Sequence, residues 1–99
     1  MQLKVLNLSW NPLAQPLPEW IGNLRNLREL QLSSLSISEL PSSIGHLLYL
    51  QKLHLDFNNL VGLPRSFIQL SELWFLGLQG NNPPMRKLLL PPALKEVRF

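Results

Sequence analysis

The sequence contains no cysteine, and only 15% of its residues are charged. The lack of cysteine excludes disulfide bonds, a thiolate nucleophile and cysteine-ligated zinc. It also fits a reducing compartment, so we expect a cytoplasmic, intracellular protein. No apolar run approaches the roughly 18 residues of a membrane span, and the first residues lack the apolar core of a signal peptide. We therefore expect no association with a membrane.

One residue type dominates the composition. Leucine occupies 26 of the 99 positions, and hydrophobic residues together make up 45%. A chain of this length has room for one domain, and so strong a bias indicates one short pattern used repeatedly. Nine basic residues against six acidic residues give a net charge of +3, an excess too small to identify a partner.

The pattern L-x-x-L-x-L occurs four times, with first leucines 24, 23 and 23 residues apart. These repeats begin at Leu3, Leu27, Leu50 and Leu73. A Leu-Pro pair follows in the first three, at residues 17–18, 40–41 and 63–64. The pattern breaks at residues 83–87, and a degenerate last strand is predicted at 94–99. Recurrence at a fixed period indicates stacked repeat units.

Within each unit, the alternation x-L-x-L predicts a short strand with its leucines on one face. One such strand cannot bury that face alone, so successive units should stack as a parallel sheet with strands about 4.8 Å apart. The segment after each Leu-Pro pair, such as residues 42–47, suits a single helical turn that begins after proline.

An asparagine recurs where the chain leaves the strand, at Asn11, Asn58 and Asn81. Its amide both donates and accepts hydrogen bonds, which lets it satisfy backbone groups that have left the sheet. The second repeat has Leu35 at this position. We therefore expect the turn of the second repeat to be the locally weaker one.

These repeats resemble those of leucine-rich repeat proteins of the 23-residue kind, which contain L-P-x-x-I-G-x-L. The resemblance covers nearly all of residues 1–99 as a single domain. It implies an α/β solenoid, a horseshoe fragment with a parallel β-sheet on the concave face and short helical or 3-10 turns on the convex face. The repeats are similar to those of intracellular signalling and scaffold proteins, and this resemblance implies protein binding without catalysis. Residues 90–94, Leu-Pro-Pro-Ala-Leu, are also similar to repeats of bacterial effectors, some of which carry a ubiquitin ligase.

The positions between the strand leucines are free to face the concave side, and we predict that they bind a protein partner. The third and fourth repeats place aromatic residues beside charged ones there, a composition typical of interface hot spots. The predicted contact residues are Lys52, His54, Asp56, Phe57, Trp74, Phe75 and Gln79, with Arg28 and Trp10 further along the same columns. Gly77 and Gly80 lack side chains, so a shallow depression is expected against His54 and Phe57.

Two chemical alternatives are weaker. His54 and Asp56 point the same way on a strand and suit a general base with its orienting carboxylate, or half a metal site. No third ligand or activated nucleophile has a matching position, so we predict no catalytic residue, no metal and no cofactor. Five basic residues on the concave face suggest nucleic acid, but three acidic residues interrupt them, and we predict no nucleic-acid binding.

The ends of the solenoid support a structural alternative. Terminal repeats normally need a polar cap, and neither predicted end strand has a covering segment in this sequence. An uncapped parallel edge can pair with another chain. The alternative function is therefore a solenoid spacer or a self-associating fragment of a longer protein.

Overall fold

A computed structural model describes residues 3–11, 16–81 and 90–99 of the chain. Its strands form one five-stranded parallel sheet in the order β1-β2-β3-β4-β5. The strands are β1 (Val5–Asn7), β2 (Glu29–Gln31), β3 (Lys52–His54), β4 (Phe75–Gly77) and β5 (Glu96–Arg98). The predicted parallel sheet is confirmed, including a last strand within residues 94–99. Residues 83–87, where the repeat pattern breaks, lie outside the described residues.

The register places equivalent leucines side by side. Leu30 lies between Leu6 and Leu53, and Leu76 pairs with Leu53 on one side and Val97 on the other. The central leucines of β2, β3 and β4 are fully buried, because each strand directs them into the space between the sheet and the opposite layer. Leucine burial therefore fixes the strand register.

In the described part of the chain, three 3-10 turns form the opposite layer. They are η1 (Glu19–Asn23), η2 (Ser42–His46) and η3 (Arg65–Gln69). A proline precedes each turn, and its carbonyl accepts the backbone N–H three residues later at 3.0–3.2 Å. The predicted helical turns after Leu-Pro are thus confirmed, and all three are of the 3-10 type.

Successive 3-10 turns approach each other closely. A Cβ atom added at Gly22 would lie 2.5 Å from the Ser43 carbonyl oxygen, and one at Gly45 would lie 2.6 Å from that of Ser66. The Ser66 hydroxyl donates to the Ser42 carbonyl at 2.6 Å across the same interface. Only glycine leaves enough space for this stacking.

The asparagine amides join neighbouring repeats. Asn58 Oδ1 accepts the N–H groups of Leu35 and Ile37 at 2.9 and 3.0 Å, and its Nδ2 donates to the Leu32 carbonyl at 2.9 Å. Asn81 Oδ1 accepts the N–H of Leu60 in the same way. Asn58 and Asn81 therefore each bond the repeat before their own, and each also donates to a carbonyl of its own repeat.

This direction corrects the expectation for the second repeat. Its turn is held by Asn58, so the contact that Leu35 fails to supply is one to the first repeat. Leu35 is itself buried, and its neighbour Ser36 has a φ of 61°. The substitution of leucine for asparagine thus accompanies a local turn with an additional left-handed residue.

Burial falls toward the two ends of the sheet. Leu6, Leu8, Leu94 and Val97 pack against the core but are only partly buried. Within the described residues, no helix is long and apolar enough to cross a membrane.

Candidate functional site

The candidate site lies on the sheet face opposite the leucine core. In each strand, the residues on either side of the central buried position have this orientation. From β2 to β5 these pairs are Glu29 and Gln31, Lys52 and His54, Phe75 and Gly77, and Glu96 and Arg98. Because the strands are in register, these side chains form rows across the sheet.

Three rings form a cluster on β3 and β4. The His54 and Phe75 ring centroids are 5.1 Å apart, and the Trp74 ring meets Phe75 edge-on at 6.0 Å. All three residues are half-buried. Edge-on aromatic packing of this kind stabilises the arrangement of the rings beyond the area they bury.

Two cations lie over the rings of this cluster. Lys52 Nζ is 5.3 Å from the Trp74 ring centroid, and Arg98 Cζ is 5.4 Å from that of Phe75. Arg98 Nε also donates to Glu96 Oε2 at 2.7 Å. The chain's own side chains therefore supply cation–π contacts on both aromatic residues.

The structure does not bring His54 and Asp56 together as a catalytic pair. His54 Nε2 lies 3.3 Å from Glu29 Oε2, within ion-pair distance but without the geometry of a hydrogen bond. The same Glu29 oxygen accepts a hydrogen bond from Gln31 Nε2 at 2.9 Å. Asp56 Oδ1 instead accepts the backbone N–H of Gln79 at 2.8 Å. Asp56 thus has a structural partner on the next repeat.

No cluster of three or more potential metal-ligating side chains occurs in the ranges that the structure describes. Within these ranges, His54 and Glu29 therefore have no third side chain with which they could hold a metal ion.

Two depressions flank Trp74. The first, about 220 Å³ in volume, is lined by Lys52, His54, Trp74, Phe75, Glu96 and Arg98. The second, about 610 Å³, is lined by Gln51, Glu72, Trp74, Ala93 and Lys95. The first is smaller than the roughly 300–1,000 Å³ usual for small-molecule sites, so it suits a single side chain of a larger ligand.

The depression predicted at the two glycines is filled, and that expectation is wrong. A Cβ atom at Gly77 would lie 2.8 Å from Asp56 Oδ2, and one at Gly80 would lie 2.4 Å from Phe57 Cδ1. The Asp56 carboxylate and the Phe57 ring thus occupy the space that the glycines leave. The pocket that does form lies further along the sheet, between β3 and β5.

The structure separates the predicted contact residues into two groups. Lys52, His54, Trp74 and Phe75 surround the first depression. Phe57 and Trp10 instead occupy the turn after the strand, with φ values of 58° and 66°, and Gly80 has the same left-handed conformation. Their side chains are exposed, Phe57 by 58% and Trp10 by 75%. This second group forms an outer row beside the sheet, not part of its central cluster.

Two of the other predicted contacts also lie outside the central cluster. Gln79 is exposed and takes part through its backbone bond to Asp56. Arg28 is exposed immediately before β2, where its carbonyl accepts the N–H groups of Gln51 and Lys52.

Sequence reasoning missed three members of the site. Glu96 and Arg98 line the first depression, and Glu29 contacts His54. The signal for them was the register, since Phe75 pairs with Glu96 and Gly77 with Arg98. Treating the last strand as degenerate concealed this contribution.

A protein-family model described as leucine-rich repeat region matches residues 1–95 of this chain. A solved structure of a leucine-rich repeat protein from Leptospira interrogans is similar to this chain, with 39% sequence identity and a TM-score of 0.84. That match covers 98% of this chain and 25% of the other, so the chain spans about a quarter of that protein's length. A comparison with curated proteins found no match to this chain. Leucine-rich repeat proteins are commonly protein-interaction modules and generally non-catalytic. Repeat period, sheet architecture and profile agree, and the chain belongs to the leucine-rich repeat family.

Proposed function

We propose that the chain is a protein-recognition module that binds its partner on the open face of the sheet, without catalysis of its own. The observation that carries this proposal is the half-buried cluster of Trp74, Phe75 and His54. Interface hot spots are enriched in tryptophan, tyrosine and arginine and lie beside pockets that exclude water. The first depression lies beside these rings, and Arg98 is one of the residues that line it.

The scaffold favours recognition because it holds this cluster rigidly. The backbone N–H groups of Trp74 and Phe75 both donate to the Gln51 carbonyl, and those of Lys95 and Glu96 both donate to the Trp74 carbonyl. A surface fixed in this way loses little conformational entropy when it binds.

The outer row supports a contact area that extends beyond the cluster. A left-handed conformation costs a residue other than glycine about 1–2 kcal/mol. Phe57 and Trp10 adopt it while leaving most of their side chains exposed. Burial thus offsets little of this cost in the free chain, whereas contact with a partner would bury both aromatic side chains.

The test is a comparison of two triple variants. Phe57, Trp74 and Phe75 are replaced together by alanine, and the control replaces Trp20, Tyr49 and Ile68, which lie off the sheet face. The control residues are exposed by 54%, 50% and 47%, which is close to the 58% of Phe57, whereas Trp74 and Phe75 are half-buried. Each protein is used to capture partners from lysate of the source organism, and circular dichroism checks its fold. A captured protein is then purified and titrated against all three chains.

We expect the first triple variant to lose the partner and the control to retain it. Equal binding by both folded variants would contradict the proposed surface.

We propose end-to-end self-association as a second candidate function, because within the described residues β1 and β5 each pair with one neighbouring strand only. Leu6 is partly buried, whereas its neighbour in β2, Leu30, is fully buried. A second copy that pairs with β1 or β5 would bury these partly exposed end strands. Sedimentation equilibrium over a range of concentrations measures this association directly. The Phe57, Trp74 and Phe75 triple variant should retain it because the edges lie elsewhere, while a monomer at every concentration would exclude it.

A further inference from the structure

The aromatic cluster has features that bear on the chemistry of its ligand. Aromatic faces are the groups that recognise quaternary ammonium and methylated lysine ligands. Here Lys52 already lies over the Trp74 ring and Arg98 over the Phe75 ring. A cationic ligand would have to displace two cations of the same sign. The arrangement therefore disfavours a basic ligand.

The carboxylates of this face are already engaged within the chain. Glu96 accepts from Arg98 Nε, Asp56 accepts from the Gln79 backbone, and Glu29 accepts from Gln31 and contacts His54. A basic partner would therefore compete with contacts that each of these carboxylates already makes within the chain.

The cations have more capacity remaining. Among the described residues, no carboxylate lies within ion-pair distance of Lys52, and Arg98 contacts Glu96 through its Nε. Lys4, Arg28 and Lys95 are exposed on or beside the same face, and none has a carboxylate partner within the described ranges. The face thus offers unpaired donors and a net positive charge, which is complementary to an acidic ligand.

The register gives the spacing of the two cations that flank the pocket. Lys52 and Arg98 are two strands and two residues apart. With about 4.8 Å between strands and about 3.4 Å per residue, their backbone positions are separated by about 12 Å. An extended peptide covers about 13 Å in four residues, and its first, third and fifth side chains point the same way.

We infer that the partner presents an acidic extended segment, with two carboxylates four residues apart and an apolar side chain midway between them. The carboxylates pair with Lys52 and Arg98, and the apolar side chain enters the 220 Å³ depression beside Trp74 and Phe75. This inference rests on the proposed function and names the chemistry of the ligand for the same surface.

The test uses synthetic peptides with the core Asp-Ser-Leu-Ser-Asp, labelled for fluorescence anisotropy. Two comparison peptides carry asparagine or lysine in place of both aspartates. The protein variants are K52Q and R98Q, which remove one positive charge each. R65Q is the matched control, because Arg65 is exposed in η3 and its loss changes the net charge equally.

We expect the aspartate peptide to bind more tightly than the asparagine peptide and the lysine peptide to bind weakest. K52Q and R98Q should each weaken binding about threefold, as expected for a partly exposed ion pair. R65Q should change the affinity for the peptide little. Added salt should weaken peptide binding by the native chain more than binding by the double variant K52Q/R98Q.

The inference is overturned if the lysine peptide binds as well as the aspartate peptide, if none of the peptides binds, or if R65Q weakens binding as much as K52Q and R98Q. These failures are distinguishable from failure of the proposed function. If the alanine variant of Phe57, Trp74 and Phe75 still loses a captured protein, the surface stands and only the acidic ligand is rejected.

Discussion

Replacing Asn58 by leucine tests how the amide joins the second and third repeats. The second repeat has a buried leucine at the equivalent position, Leu35, in a turn that also contains the additional left-handed residue Ser36. Asn58 is 4% exposed. Its removal leaves the Leu35 and Ile37 N–H groups and the Leu32 carbonyl without the bonds that Asn58 provides.

The expected loss of stability follows from the three backbone groups that lose their bond to Asn58. Each buried backbone group left without a partner costs about 1–3 kcal/mol, and three such groups are affected. Burying the new leucine side chain returns about 1.5–3 kcal/mol. Local relaxation reduces the first figure, so we expect N58L to lower the free energy of unfolding by about 2–5 kcal/mol.

Urea denaturation followed by circular dichroism measures this change, and N11L is the matched control. Asn11 occupies the same repeat position but is exposed, and within the described residues its Nδ2 donates to the carbonyls of Leu8 and Ser9. We expect N11L to cost less than about 1 kcal/mol, as for an exposed hydrogen bond. Equal losses for N58L and N11L would refute the reasoning, because burial would then not determine the contribution of the amide.

Three further predictions, one of them with a control substitution, concern the packing of the fold. G45A should destabilise the protein by about 1–3 kcal/mol, since the new methyl group meets the Ser66 carbonyl. The control G62A should be tolerated, because no atom lies within 4 Å of the new methyl group. Similar melting temperatures for both variants would contradict the stacking argument. L53A should lower the free energy of unfolding by about 2–5 kcal/mol by opening a cavity in the core, measured by urea denaturation, and a loss below this range would mean that the core collapses around it. L35N should change that free energy by less than about 1 kcal/mol, because new amide bonds to the first repeat offset the lost leucine burial. A much larger loss on denaturation would show that this turn does not admit the amide.

Much of the site was predictable where its residues follow the repeat. The columns of the L-x-x-L-x-L pattern placed Lys52, His54, Trp74 and Phe75 near one another, and they line one depression. Side-chain position across a parallel sheet depends on register, and the repeated leucines determine that register.

The partners of individual side chains were not predictable in this way. His54 contacts Glu29 on one neighbouring strand, while Asp56 bonds to the backbone of Gln79 on the other side. In the sequence pattern, both Asp56 and Glu29 lie close enough to His54 to be its partner. Rotamers and side-chain length decide between them, and neither is encoded in repeat spacing.

The sequence by itself determined the repeat unit, the parallel sheet and the leucine core, because periodic burial leaves few ways to stack such units. It also identified the open face as the surface with unassigned polar and aromatic side chains. Only the tertiary structure decided that Asp56 and Phe57 fill the space beside Gly77 and Gly80. Only it showed that the pocket includes Glu96 and Arg98. The physical reason is that strand register follows from a regular pattern of burial, whereas a pocket is the space that neighbouring side chains do not fill.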